Sequence, residues 1–171
     1  MSSPSYHLWL KPADSAYDLL AETIGQLAYE LGAPVFEPHV TLLGHLEGSE
    51  QDHVERTQQL ARELQPFQVV LTEPSYQNEY FRCLFMRVQQ TPAVMNPNAL
   101  ARHVFHQPEE GYMPHLSLVY GLHPEACKKQ VIARLRPDIQ TSFEVTDVYL
   151  IKADSDDPKD WHEILIAPMS G

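Results

Sequence analysis

One six-residue segment occurs twice in this chain. Residues 38 to 43 read Pro-His-Val-Thr-Leu-Leu, and residues 114 to 119 read Pro-His-Leu-Ser-Leu-Val. The two histidines lie 76 positions apart, a little under half of the 171 residues. A lone His-x-Thr or His-x-Ser carries no information. Two copies at matching points of a repeated order of elements constrain the chain to a duplicated architecture, and the surrounding pattern supplies that order.

Residues 5 to 11 alternate, with Tyr6, Leu8 and Leu10 on one side and His7 and Trp9 on the other, which predicts a strand. Asp14 reads as a helix N-cap, followed by Tyr17, Leu20, Ile24, Leu27, Ala28 and Leu31 at helical spacing and a stop at Gly32. A strand over 39 to 46 comes next, then a capping pair, Ser49 with Asp52, opening a helix to about Leu64, and a strand over 67 to 71. The second half repeats the sequence of elements. A strand is expected over 80 to 88, a helix starting at Asn96 and Pro97, and a strand over 115 to 120. A helix from Pro124 to about Leu135 and strands over 143 to 151 and 161 to 166 complete it. The fold class is α+β, a duplicated β-α-β-α-β. No Gly/Ser linker divides it, so 1–171 is one domain of two lobes, near 1–75 and 76–171, with the terminal segments free to cross.

Side chains two apart on a strand share a face. His39 therefore projects with Thr41, and His115 with Ser117. Lobes related by a pseudo-two-fold axis bring both pairs to one cleft. Two imidazoles and two hydroxyls around one point suit the opening of a cyclic phosphodiester. A neutral imidazole takes a proton from attacking water, and an imidazolium on the opposite side protonates the leaving ribose oxygen. In-line attack requires the two to flank the phosphate. Hydroxyls of Thr41 and Ser117 donate to the non-bridging oxygens, whose charge grows in the transition state. His115 is assigned as base and His39 as acid, although two equivalent pairs leave the polarity open. The scheme calls for no metal and no cofactor.

At these residues the chain resembles the 2H phosphoesterase superfamily, defined by two His-x-Thr/Ser motifs. It is most similar to the plant and yeast type cyclic phosphodiesterases within it. The resemblance covers nearly the whole chain and implies the LigT-like fold, with antiparallel sheets around a central cleft and helices outside. It implies hydrolysis of ADP-ribose 1″,2″-cyclic phosphate to the 1″-phosphate and opening of nucleoside 2′,3′-cyclic phosphates to 2′-phosphates. His39, Thr41, His115 and Ser117 fall on the family's four catalytic positions, and Trp9 and Tyr120 on aromatic positions bordering its cleft. Trp9, on the His7 face of its strand, reads equally as a base-stacking residue or as core. Strict alternation puts Tyr120 on the face opposite His115, so it reaches the cleft only if the strand ends or bends near Gly121.

Charge narrows the partner. Acidic residues number 23 against 12 basic, a formal net charge of −11. That field opposes a long nucleic acid or an anionic membrane and leaves room for a small cyclic phosphate held locally. An RNA-end-processing enzyme of the same superfamily and a nucleotide-binding module without turnover are the alternatives. The first eleven residues lack a signal-peptide pattern and no apolar run approaches a membrane span, so a cytoplasmic monomer is expected, with Cys83 and Cys127 as reduced thiols. His103 and His106, three apart, lack a carboxylate partner in motif form. Residues 154 to 160 lack the glycine of a calcium loop, and no phosphate-loop, dinucleotide, zinc-protease or nucleophile-elbow motif is present.

Overall fold

The computed structural model describes residues 3–171. Its elements are β1 (Ser5–Leu10), α1 (Asp14–Leu31), β2 (Val40–Leu46), α2 (Glu50–Glu63), β3 (Phe67–Tyr76), β4 (Leu84–Val88), α3 (Pro92–Val104), β5 (His115–Val119), α4 (Glu125–Arg134), β6 (Ser142–Val145), β7 (Asp147–Ala153) and β8 (Trp161–Pro168). The strands form one antiparallel sheet in the order β6-β3-β4-β5-β2-β1-β7-β8. Helices cover it, α1 against β5, α2 against β7 and β8, and α3 against β2 and β3. This is the α+β arrangement, antiparallel strands with helices outside, expected from the sequence.

Two four-strand halves meet between β2 and β5, and a single residue pair, Val40 with Leu116, joins them. Beyond that bridge the strands diverge, and side chains replace ladder bonds along β2. The Tyr112 hydroxyl donates to the Thr41 carbonyl (2.8 Å), and the Asn98 amide donates to the Leu42 carbonyl (2.7 Å). Backbone groups at the seam thus stay satisfied while a cleft opens between the halves.

The halves of the sheet do not coincide with the halves of the chain at residue 75. β3 lies with β4, β5 and β6, whereas β7 and β8 return to β1. The cause is local. β3 and β4 are consecutive antiparallel strands with a short connection, and such strands pair with each other. The expected strand over 143 to 151 is in fact two strands in opposite halves of the sheet, divided at Thr146. Buried positions change phase there, from Phe143 and Val145 to Val148 and Leu150.

Other boundaries moved for similar reasons. Residues Tyr80–Arg82 form a 3-10 turn rather than the start of β4. α3 begins at Pro92, which holds the first-turn position, and Pro97 lies inside the helix instead of opening it. Asp14 is the first helical residue, with φ 55°, and does not cap; the cap position is Ala13. The Ser49 hydroxyl accepts from the Asp52 amide as the capping pattern requires (3.2 Å), and Gly32 ends α1 at φ 64°. Cys83 and Cys127 are free thiols. Among the described residues no helix is long and apolar enough to cross a membrane.

Candidate active site

The seam sets the geometry. In an antiparallel pair bridged at Val40 and Leu116, His39 falls opposite Ser117 and Thr41 opposite His115. Each histidine therefore faces the hydroxyl residue of the other motif. Val40, Leu42, Leu116 and Leu118 point into the core, which turns the alternate residues toward the cleft. All four motif residues line one cavity of about 460 Å³, within the range of small-ligand sites.

The two imidazoles are held in the same way. Nδ1–H of His39 donates to the carbonyl of Glu37 at 2.7 Å, and Nδ1–H of His115 to that of Met113 at 2.9 Å. A carbonyl can only accept, so in the neutral ring each Nδ1 carries the hydrogen and each Nε2 keeps its lone pair. Burial lowers the pKa of His39 to about 3, with His115 and His7 adding to the shift. Burial also lowers that of His115, and the Arg82 charge adds to it. Without an anion both rings are neutral near pH 7.

Aromatic side chains surround His39. Trp9 stacks on it at 3.6 Å with planes 9° apart, and Phe36 and Trp161 meet it edge-on at 6.3 and 6.4 Å. Trp9 is only 6% exposed, so the stacking partner of its ring is the imidazole of the first motif rather than solvent or an open slot. β5 ends at Val119, and the chain turns through Gly121 at φ 138°, which brings Tyr120 into the cavity wall by the bend alternation required. Its ring stacks on Phe36 at 3.8 Å. The Ser117 hydroxyl donates to the Phe81 carbonyl at 3.2 Å, so its O–H must rotate away from that carbonyl before it donates to a phosphate.

Sequence reasoning left several wall residues unassigned. Tyr112, Phe81, Arg82, Asn98, Arg102 and Trp161 all line the cavity. A signal for two aromatics was present. Phe36 and Tyr112 stand three residues before their motif histidines, so the duplicated segment extends to aromatic-x-Pro-His. His7 lies on the cleft side as its phase required, and a Cβ on Gly44 would stand 2.9 Å from its Nδ1, so a side chain there would have to displace the His7 ring. Among the described residues no three His, Cys, Asp or Glu side chains converge as a metal-ligand set.

Residues 4–162 match the profile of the cyclic phosphodiesterase-like protein family. The chain belongs to that family. A cyclic phosphodiesterase of Arabidopsis thaliana is 24% identical over 172 residues, covering 96% of this chain and 95% of that protein. Solved structures share the fold at low identity. LigT of E. coli complexed with phosphate superposes with a TM-score of 0.69 at 14% identity, covering 99% of this chain and all of that one. LigT complexed with 3′-AMP gives 0.70 at 13%, with the same coverage. TT0787 of Thermus thermophilus gives 0.65 at 17%, covering 98% of each chain. The family match thus makes the chain a phosphodiesterase, and the solved structures share its fold.

Proposed function

We propose that this cyclic phosphodiesterase hydrolyses small ribose cyclic phosphates by two-histidine acid–base catalysis, without a metal. The substrates assigned are ADP-ribose 1″,2″-cyclic phosphate, opened to the 1″-phosphate, and nucleoside 2′,3′-cyclic phosphates, opened to 2′-phosphates. The observation that carries the reading is the matched pair of Nδ1-anchored imidazoles in one small cavity, each opposite a hydroxyl.

His115 Nε2 takes a proton from water as the oxygen attacks phosphorus. The opposite P–O bond breaks, and the leaving ribose oxygen takes the proton of His39. Water has then been added across one ester bond, and the two imidazoles have exchanged charge states. Thr41 and, after rotation, Ser117 donate to the non-bridging oxygens. Trp9 favours His39 as the acid, because an indole face 3.6 Å away attracts an imidazolium. The substrate anion offsets the burial cost that keeps His39 neutral in the free protein.

The test is turnover of uridine 2′,3′-cyclic phosphate in excess chelator, with the product identified by phosphorus NMR. A single 2′-phosphate product and at least a ~10²-fold rate loss for both His39→Ala and His115→Ala are expected. Loss of turnover on chelation refutes the metal-free mechanism. Sensitivity to only one of the two substitutions refutes the paired acid and base.

A further inference from the structure

Cations are scarce in this chain and almost all are spoken for. Nine of its twelve lysines and arginines form ion pairs with carboxylates. Lys128 donates to the Gln77 carbonyl. Among the described residues only Arg62 and Arg82 are left without a side-chain partner. Arg62 sits in the last turn of α2, where a cation complements the helix dipole. Arg82 lines the catalytic cavity.

The backbone that presents Arg82 is fixed at every step. The three carbonyls of the Tyr80–Arg82 turn accept from the Gly121 amide (2.9 Å), the Ser117 hydroxyl (3.2 Å) and the Gln77 amide (3.0 Å). A motif residue thus holds the turn that carries the unpaired guanidinium. The side chain is exposed, whereas His39 is buried, so the charge stands at the rim rather than beside the deep imidazole. It is near enough to His115 to depress its protonation. The cavity's other arginine, Arg102, is occupied by Asn98 Oδ1, the Pro108 carbonyl and Glu110.

We propose that Arg82 is a specificity residue forming a second anion subsite at the cavity rim, selecting cyclic phosphates that carry a further phosphate group. This rests on the cyclic-phosphate reading above. In a chain of net charge −11, a phosphate beyond the scissile one meets a repulsive field unless a cation is reserved for it. A guanidinium serves that purpose because its fork of donors matches phosphate oxygens two at a time. A phosphate between the two histidines lies deeper than the rim, so the group that Arg82 meets is the next anion along the ligand.

The experiment compares kcat/KM for two probes on the intact chain, uridine 2′,3′-cyclic phosphate with and without a 5′-phosphate. Arg82→Gln is expected to lower the ratio, 5′-phosphorylated over plain, by about 10-fold, the loss of one charge-assisted hydrogen-bonding contact. Arg82→Lys restores part of it, and 0.5 M salt narrows the wild-type ratio. Arg62→Gln controls for net charge and leaves the ratio unchanged. An unchanged ratio in Arg82→Gln overturns the subsite, and so does an equal fall with both probes, which puts Arg82 on the scissile phosphate or on His115. An equal fall in Arg62→Gln reduces the effect to bulk charge and also overturns it. Wild-type protein that opens neither probe overturns the cyclic-phosphate reading itself, a separate result.

Discussion

Replacing Trp9 by leucine tests whether the indole holds the proton of His39. The rings are parallel to within 9° at 3.6 Å, close enough for the π-face to act on a charged imidazole. A cation over a desolvated indole gains about 1 to 2 kcal/mol. Since 1.36 kcal/mol corresponds to about one pKa unit, Trp9→Leu lowers the pKa of liganded His39 by roughly one unit. The sign follows from removing a partner that favours the charged form. With His39 as acid, the rate falls once pH rises above its pKa. The high-pH limb of kcat, which reports groups in the substrate complex, therefore moves to lower pH by about one unit. Trp9→Phe keeps a smaller π-face and moves it less. Because Trp9 is 6% exposed, the leucine variant also loses a few kcal/mol of stability, so the profile is taken well below its measured melting temperature. A limb that stays in place while the rate falls makes Trp9 a filler. A limb that moves to higher pH contradicts His39 as the acid.

Two other outcomes follow from the buried imidazoles. Inorganic phosphate or AMP should take up a proton on binding near pH 7, because the anion raises pKa values that burial had lowered. Calorimetry in two buffers of different ionisation enthalpy reads this as different apparent heats, with affinity rising as pH falls; equal heats count against it. Acid should also destabilise the free protein before carboxylates titrate. His7 is held at about 4 by burial and by His45, so its contribution is full above pH 6.5 and lost as pH falls toward 4. By pH 5 that is about 2 kcal/mol. His53 acts in the same direction, being buried against Tyr6 and Phe105. Neither of its ring nitrogens reaches a partner at hydrogen-bonding geometry, although the Glu47 backbone is near. His53→Phe should therefore raise the melting temperature, more at pH 5 than at pH 7, and a fall at both would show that the imidazole is satisfied.

The core of the site was legible from sequence because strand geometry is rigid. Period-two alternation alone puts His39 with Thr41 and His115 with Ser117, and the duplication brings the pairs together. Alternation fails where backbones bend. Tyr120 enters the wall because the strand stops one residue earlier, and the Tyr80–Arg82 turn, rich in aromatic residues, has the composition of a strand. β6 and β7 look continuous because nothing between them is Gly or Pro. Only the change of phase from Phe143 and Val145 to Val148 and Leu150 marks the break. The lobe boundary misled because chain order and sheet order differ once β3 pairs forward with β4. The stacking of Trp9 on His39 had no local signal, since Trp9 lies on β1 and His39 just before β2, separated by the whole of α1.

Phe36 and Tyr112 occupy the same step in the two copies of the repeated segment, yet they do different work. Phe36 stacks on Tyr120 beyond the second motif, while the Tyr112 hydroxyl bonds the Thr41 backbone within the first. Phenylalanine has no hydroxyl to return the favour. A site with true two-fold symmetry would accept a cyclic phosphate in two opposed orientations at equal energy and would open either of its ring P–O bonds. Each departure from that symmetry makes the orientations unequal, by about tenfold in population for every 1.4 kcal/mol. The mismatch between the copies is therefore what gives the cleft a direction, and the identity of the bond that breaks is written in the residues that the repeat failed to keep.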